Sequence, residues 1–556
     1  MTLKRLVSLL GATALAGCLL LSPPRALAQE AGQASTATEI DALKKQLEEE
    51  QKQIDQLRLM IEDQKKAIEK AAEAEQARAA NAAPAPAPPH ASLGEVASAS
   101  PILPPAASSS SSATGLSPQA GPMDANDAAP LYFRIGSARF MPLGFVDVTS
   151  VFRSTNTGNG IGTGFNGIPL PNTVAGNNVE NRFSLQNSRF GVKVDSDVLG
   201  GHVIGYLETD FLGNAPANLL VTSNSNTLRL RLYWVDWRKS KFEFLGGQTW
   251  SLLTPNRKGL SPMPSDVFYS LDMDTNYQLG LVWSRAPEFR FVYHANDNVT
   301  AGVAISNPEQ YVGNAVTYPT LLSSALSSQF STGASNANAP NLTPDVIGKI
   351  AFDGTPGGKA AHLEIGGVLS TFQAYNPLTG THSRAAGGGG EINANLEVAK
   401  GFNLIANTFA GAGAGRYIFG LAPDVVIKPN GQIDPVKSAS TVGGFEWTTQ
   451  PKDNPKGIST LWYGYYGGLY VDRAAYLDTN GKWIGYGQPG SSAAANRAIQ
   501  EATFGVIQTF WKNPVYGDLK LITQYSYLTR NPWAPVTGVA APHSHMVWVD
   551  LRYDLP

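Results

Sequence analysis

The sequence predicts an all-β transmembrane barrel of about 16 antiparallel strands, preceded by an N-terminal α-helical coiled coil. Short stretches of alternating apolar and polar residues recur from about residue 131 onward. Only 15% of the residues are charged, whereas glycine (56) and tyrosine, phenylalanine and tryptophan (20, 22 and 10) are abundant. This composition is typical of barrels whose strands curve and whose aromatic girdles mark two membrane interfaces. A heptad repeat near the N-terminus predicts the coiled coil.

The first element is a signal peptide over residues 1–28. Lys4 and Arg5 form a positive start, an apolar stretch follows, and Ala26 and Ala28 supply the small residues of a cleavage site. The chain is therefore expected to be exported.

A second interpretation of this leader stays open. The segment ending at Cys18 resembles a lipobox, which would leave a lipidated cysteine at the mature N-terminus. Cleavage after Ala28 is favoured, because the residues after Cys18 continue the apolar run. Since Cys18 is the only cysteine, the mature chain is expected to have no disulfide and no thiol chemistry. Residues 29–38 form a short lead-in.

Residues 39–79 are predicted to form the coiled coil. Apolar side chains recur with a 3.5-residue period, whereas Glu50 and Gln64 make two core positions polar. The predicted core residues are Ile40, Leu43, Leu47, Ile54, Leu57, Ile61 and Ile68. About five heptads make a rod roughly 50 Å long. The alternative is a solvated single helix, which would expose the apolar stripe, so the pattern favours oligomerisation.

Residues 80–130 form an Ala/Pro/Ser-rich linker that can build no core. The barrel domain is then assigned to residues 131–556. Membrane strands need about 9–11 residues each, so 16 strands fit with long loops to spare, and 14 or 18 strands are alternatives. A soluble β-sandwich or solenoid is the competing fold class. The last strand favours the barrel, because one of its faces is apolar and the other polar.

The stretch 228–234 alternates most strictly. Its residues predicted to face lipid are Leu228, Leu230 and Leu232, and those predicted to face inward are Arg229, Arg231 and Tyr233. An arginine that faced lipid at the midplane would cost about 2–4 kcal/mol, which sets this orientation.

The order of these features, with the segment Gly246-Gly247-Gln248-Thr249-Trp250-Ser251 and the later 285–290 stretch, resembles the DcaP-like trimeric outer-membrane porins. The phosphate-selective porin O/P family is a near neighbour, and the sequence does not divide the two. The resemblance implies a homotrimer of 16-stranded barrels in the Gram-negative outer membrane, each a passive channel for small, mainly anionic solutes. It also implies that the coiled coil lies in the periplasm.

Partners follow from the same analysis: outer-membrane lipids, further copies of the chain and small solutes in transit. The formal net charge is −2 and no basic patch stands out, so nucleic acid is not an expected partner.

Selectivity in such a pore would come from charged side chains that line it. The residues predicted to line the pore are Arg229, Arg231, Arg189, Lys193, Glu208 and Asp210. The four basic residues form a candidate ladder for carboxylate or phosphate groups, and the two acidic residues lie on the strand between them. The alternative is that these charges pair with one another and stiffen the wall.

The loop from residue 251 to 277 is the predicted constriction, because its length and prolines suit a loop folded into the lumen. Its charged residues are Arg257, Lys258, Asp266, Asp272 and Asp274. The alternative is an exposed surface loop.

The sequence contains no persuasive catalytic motif: nucleophile elbow, phosphate-binding Gly-Lys loop and His-Glu-x-x-His helix are all absent. We therefore expect no enzymatic activity, no cofactor and no metal site. Besides a channel, the second functional class is a structural outer-membrane anchor whose coiled coil reaches toward the cell wall.

Overall fold

The computed structural model describes residues 132–214, 224–263, 267–272, 277–333, 340–451, 454, 456–513 and 516–555. The predicted signal peptide with Cys18, the lead-in, the coiled coil and the linker lie outside the described residues. The same holds for the coiled-coil core residues Ile40, Leu43, Leu47, Ile54, Leu57, Ile61 and Ile68.

The described chain is almost entirely β-structure. Its strands are β1 (Phe133–Ile135), β2 (Ala138–Arg153), β3 (Glu180–Ser184), β4 (Arg189–Val198), β5 (Gly201–Asp210), β6 (Arg229–Lys239), β7 (Phe242–Trp250), β8 (Arg285–Asn296), β9 (Val299–Ser306), β10 (Asp345–Gly354), β11 (Ala361–Asn376), β12 (Thr381–Ala399), β13 (Phe402–Ala412), β14 (Val425–Ile427), β15 (Ile433–Pro435), β16 (Lys437–Thr449), β17 (Ser459–Val471), β18 (Ala474–Leu477), β19 (Trp483–Tyr486), β20 (Asn496–Asn513), β21 (Gly517–Pro532) and β22 (His543–Asp554). One short α-helix, α1 (Ser323–Ser327), and four 3₁₀ turns, at Phe165–Gly167, Ala175–Asn177, Pro356–Gly358 and Gly415–Tyr417, lie between strands. Among the described residues, no helix is long and apolar enough to cross a membrane.

Eighteen of these segments form one sheet, which amounts to sixteen barrel strands. β3 and β4 pair in succession with the two halves of β2 and so act as one strand. The hydroxyl of Ser188 fills the interruption between them by accepting a hydrogen bond from the backbone N–H of Asp147 at 3.0 Å. β1 pairs only with the first residues of β2. The predicted count of sixteen strands is therefore confirmed.

The barrel closes where its first strand meets its last. β2 and β22 run antiparallel, from the pair Phe145–Asp554 to the pair Arg153–Met546. The other neighbours around the ring are successive barrel strands that run antiparallel, with β13 beside β16 and β17 beside β20. The pairs β14–β15 and β18–β19 form two small separate sheets. No edge of the barrel sheet is therefore left unpaired around the ring.

Connections at the two ends of the barrel differ in length. At one end the loops are 154–179, 211–228, 251–284, 307–344, 377–380, 413–436, 472–495 and 533–542. At the other end the turns are 199–200, 240–241, 297–298, 355–360, 400–401, 450–458 and 514–516. β2 begins and β22 ends at this turn end, because the number of strands is even.

Side chains alternate between the two faces of the wall. On β22 the apolar residues Val547, Val549 and Leu551 are 44–46% exposed, whereas Trp548 and Asp550 are fully buried. The apolar face therefore points outward, toward lipid, and the polar face points into the barrel.

The predicted orientations of two residues on β6 are wrong. Leu232 is fully buried on the inner face and Tyr233 is 41% exposed on the outer face. The cause is a β-bulge: Leu232 pairs with Glu208 and Leu230 with Thr209, so Arg231 is an extra residue on its strand. A bulge shifts every later side chain to the opposite face.

Candidate functional site in the barrel lumen

The described residues of loop 251–284, which are 251–263, 267–272 and 277–284, lie inside the barrel and are hydrogen-bonded to its inner wall. Seven strands offer the loop an inward-facing acceptor or charge. The contacts are Gly259 N–H to Asp353 on β10 (3.0 Å), Asn256 N–H to Glu364 on β11 (3.1 Å), Val282 N–H to Asn407 on β13 (2.9 Å), Arg257 to Glu446 on β16 (2.6 Å), Tyr269 N–H to Tyr465 on β17 (3.3 Å), Leu279 N–H to Glu501 on β20 (3.0 Å) and Leu271 N–H to Gln524 on β21 (2.9 Å). A free loop would give most of these donors to water. Here the wall supplies the acceptors, so the loop is an internal layer of the barrel.

Arg257 makes the strongest of these contacts. Its guanidinium donates two hydrogen bonds to Glu446, at 2.7 and 2.6 Å, and lies 4.9 Å from the ring centroid of Tyr269. Tyr465 donates its hydroxyl proton to the same carboxylate at 2.8 Å. Burial lowers the pKa of Arg257, but the facing Glu446 outweighs it, so the pKa lies above its ordinary value. The first half of the loop is held by a charge-assisted bidentate pair.

At the beginning of the loop the roles are reversed, because here the wall residue, Lys349 on β10, is the donor and the loop supplies the acceptors. Its ammonium donates to the carbonyls of Leu253 and Thr254 at 3.0 and 3.1 Å. It also pairs with Glu364 at 3.1 Å and Glu391 at 2.7 Å, and the Lys349 side chain is fully buried. The ammonium thus bridges the loop and two wall carboxylates.

The charged residues predicted for this loop lie in different environments. Arg257 is committed to Glu446, and Asp272 is fully buried against the wall. Lys258, between two anchored residues, is exposed. Asp266 and Asp274 lie outside the described residues. Burial raises the pKa of the Asp272 carboxyl to about 6.

The predicted pore-lining residues lie on three neighbouring strands, β4, β5 and β6, and their charges compensate one another. Arg231 is 1% exposed and donates to Glu208 at 2.6 Å and to Asp210 at 2.7 Å. Arg229 forms a second pair with Asp210, at 2.6 and 3.0 Å. The geometry therefore agrees with the alternative in which these groups stiffen the wall.

The two remaining members of the predicted ladder lie on β4. Arg189 is buried, with its guanidinium 5.4 Å from the ring centroid of Phe145. Lys193 lies 3.7 Å from the carboxylate of Asp195. A role in selectivity stays a prediction for the whole set.

Sequence reasoning missed Lys349, Glu446 and Glu501, which hold the loop. None of them belongs to a recognisable motif. The available signal was a charged residue in the inward register of an alternating strand, as in Phe445-Glu446-Trp447. That signal gives an inward orientation, but it does not give the loop segment that the side chain meets.

No metal cluster is present in the described part of the chain, where no group of three or more histidine, cysteine, aspartate or glutamate side chains has the required spacing. The interior is instead organised by ion pairs and by hydrogen bonds to the loop.

Neither a family model nor a curated protein matches this sequence. Among solved structures, the outer membrane channel DcaP of Acinetobacter baumannii is similar over 77% of this chain and 99% of its own, with 16% identity and a TM-score of 0.53. An anion-selective porin from Comamonas acidovorans (12% identity, 75% of this chain, 99% of its own) and OprB of Pseudomonas putida (13%, 74%, 94%) give TM-scores of 0.43 and 0.41. The DcaP-like barrel predicted from the sequence is confirmed at the level of fold: this chain has the barrel fold of the DcaP channel.

Proposed function

We propose that the protein is an outer-membrane porin, a water-filled channel for passive diffusion of small hydrophilic solutes. The observation that carries this proposal is loop 251–284, which lies inside a closed sixteen-stranded barrel and is fastened to seven of its strands. Barrels of this size enclose a lumen that is wider than its own side chains can fill. An internal loop narrows that lumen to a defined cross-section, and the narrowest part controls which solutes pass.

We also propose that the channel prefers anions to cations. Arg229 and Arg231 are neutralised by Glu208 and Asp210, so their net effect on a passing ion is small. Lys258 is an exposed cation on the internal loop. An exposed charge at a constriction acts on ions more strongly than one compensated within the wall. We therefore assign anion attraction chiefly to Lys258.

Assembly and location follow the same proposal. The barrel would act as a homotrimer in the Gram-negative outer membrane, surrounded by lipid. In such barrels the long loops lie on the extracellular side of the membrane and the short turns lie on the periplasmic side. Because β2 begins at the turn end, the segment that precedes the barrel would be periplasmic, as expected for the predicted coiled coil.

The test is single-channel conductance in a planar bilayer, with the reversal potential measured under a salt gradient. We expect conductance steps in groups of three and a preference for anions in the wild type. Lys258→Glu should shift the reversal potential toward cation preference. Lys400→Glu, an exposed site on a turn, is the matched control and should leave the reversal potential unchanged.

Two outcomes would count against this proposal. A cation-selective wild type, or one unaffected by Lys258→Glu, would remove the anion assignment while leaving a channel. Absence of conductance from a barrel shown to be folded would remove the channel itself.

A second candidate, a structural envelope anchor, is favoured by one observation. Tyr277, Leu279, Leu281 and Val282 of the internal loop are all fully buried, so this part of the lumen is filled. An anchor needs no open path, and the conductance measurement separates the two functions.

A further inference from the structure

We propose that the outer rim of the barrel, between β17 and β21, binds a phosphorylated lipid headgroup through Arg473 and Arg497. Both arginines lie at the end of the barrel that carries the long loops. The site lies on the outer face of the barrel, so it goes beyond the proposed function and does not depend on a conducting lumen.

Two cations converge on one aromatic ring at this rim. Arg473 lies just after β17 and Arg497 lies in β20, and both side chains are exposed. Their guanidinium groups lie 4.6 and 5.8 Å from the ring centroid of Trp533. One cation over a tryptophan ring is a stabilising contact, whereas two like charges beside the same ring also repel each other. The ring alone therefore does not compensate this pair.

In the described part of the chain, no carboxylate forms an ion pair with either arginine. This differs from Arg229 and Arg231 inside the barrel, which are paired with wall carboxylates. The nearest acidic residue along the chain, Asp472, accepts a hydrogen bond from the backbone N–H of Arg473 at 2.9 Å. The backbone N–H of Asp472 donates to the carbonyl of Lys437, a third exposed cation, also at 2.9 Å. The rim thus carries a net positive charge.

The backbone of the barrel fixes the aromatic ring of this site. Trp533 donates its backbone N–H to the carbonyl of Ala495 at 2.9 Å and its indole N–H to the carbonyl of Val471 at 3.1 Å. Arg497 is the extra residue of a β-bulge, since the pairing of β20 with β21 passes over it. A bulge re-aims a side chain away from the face that regular alternation would give it. The position of the ring and the direction of Arg497 are therefore set by the strands.

Below this rim the outer face of β17 is aromatic. Tyr470, Tyr466 and Trp462 all face outward and are exposed. The ring centroid of Tyr470 lies 6.2 Å from that of Trp533. Aromatic side chains of this kind mark the boundary between lipid headgroups and the hydrocarbon core. The two arginines therefore lie at the height of the headgroups, and acyl chains would lie along the aromatic face below them.

A phosphate group matches these cations chemically. The planar guanidinium presents N–H donors that pair with phosphate oxygens, and such charge-assisted hydrogen bonds are stronger than those between neutral groups. A lipid phosphate also brings acyl chains to the aromatic face, which a free phosphate ion does not. Because the long loops lie on the extracellular side, the lipid belongs to the outer leaflet. The occupant is therefore an outer-leaflet lipid whose headgroup carries phosphate, such as lipid A.

The experiment titrates the intact protein in detergent with lipid A and counts bound lipid by native mass spectrometry. We expect saturable binding to the wild type. The double variant Arg473→Ala, Arg497→Ala should bind roughly 25-fold more weakly, at about fivefold for each arginine near a charged lipid surface. The double variant Arg473→Lys, Arg497→Lys should lie between the two, because lysine keeps the charge but loses the paired donors. Circular dichroism checks that each barrel is folded.

The matched control is the double variant Lys239→Ala, Lys400→Ala, which removes the same charge from exposed sites at the turn end. It should bind lipid A like the wild type. Equal losses in this control and in the arginine-to-alanine variant, or no loss in the latter, would overturn the inference. So would wild-type binding that is as tight for dephosphorylated lipid A or for inorganic phosphate alone. None of these measurements uses conductance, so their failure leaves the proposed channel untouched.

Discussion

Arg231 occupies the centre of a buried charge cluster on β5 and β6. It is 1% exposed, and both of its carboxylate partners, Glu208 and Asp210, are buried as well. Desolvation of such groups offsets much of their attraction, so the intact cluster adds little net stability. Removal of one partner is a different matter, because it leaves a buried charge without compensation.

We expect Arg231→Ala to lower the free energy of unfolding by about 3–5 kcal/mol, since two buried carboxylates lose their shared partner. Denaturant unfolding of the refolded barrel measures this. Lys239→Ala, at the exposed end of the same strand, should change it by no more than about 0.5 kcal/mol. A small stability loss combined with a large shift in reversal potential would show that Arg231 acts on solutes.

Single residues also show which side-chain orientations and contacts the alternating pattern can predict. Alternation correctly predicts that Arg231 faces inward and Leu230 outward. It fails at Leu232 and Tyr233, because the bulge at Arg231 is a property of the pairing between two strands. Likewise, Lys349 donates a hydrogen bond to the carbonyl of Leu253, 96 residues earlier. No local sequence pattern predicts a contact between these two residues.

At the scale of elements, loop 251–284 is shaped by close backbone approach to the wall. The backbone carbonyl of Leu279 lies where a side chain on Gly467 of β17 would be. Gly280 has φ +97°, and a side chain there would meet the carbonyl of Thr441. Glycine at both places lets the loop lie directly on β16 and β17.

We expect Gly467→Ala to push the loop away from β17. The added methyl group overlaps the Leu279 carbonyl, which should cost about 1–3 kcal/mol of stability and change the single-channel conductance. Gly348→Ala is the matched control on β10, because a methyl group there meets no atom within contact distance. Equal conductance for Gly467→Ala and the wild type would mean that this part of the loop does not limit the current.

The existence and starting point of this loop could be predicted, whereas its attachments could not. Prolines and length between two alternating stretches predicted a long loop from residue 251, and the structure extends it to residue 284. The partners Glu446, Glu501 and Gln524 follow it by roughly 190 to 250 residues. They come near only because the barrel closes on itself.

At the scale of the whole molecule, the barrel is stabilised by a division between an apolar exterior and a polar interior. Chain length and the residues needed per strand predicted about sixteen strands, with 14 or 18 as alternatives, and the closed pairing of the strands decides for sixteen. The coiled coil, the linker and trimer formation stay predictions, since the first two lie outside the described residues and the third depends on contacts between copies.

We expect Val549→Arg to impair insertion of the barrel into lipid. Val549 faces outward in the middle of β22, where arginine costs about 2–4 kcal/mol near the bilayer midplane. Folding yield and unfolding free energy in lipid vesicles measure the effect. Val536→Arg, on the exposed loop 533–542, places the same charge in water and should be tolerated. Equal losses for both variants would contradict the assigned lipid-facing surface.

The closing pair of strands sets the order of folding events. Phe145 pairs with Asp554, 409 residues later (554 minus 145). The ring therefore cannot be completed until nearly the whole domain is available, and β2 keeps an open hydrogen-bonding edge until then. Contacts of such long sequence separation form slowly. The interval before closure is when this chain is most exposed to misassembly with other unfolded strands, and protection during that interval determines the yield of folded barrel.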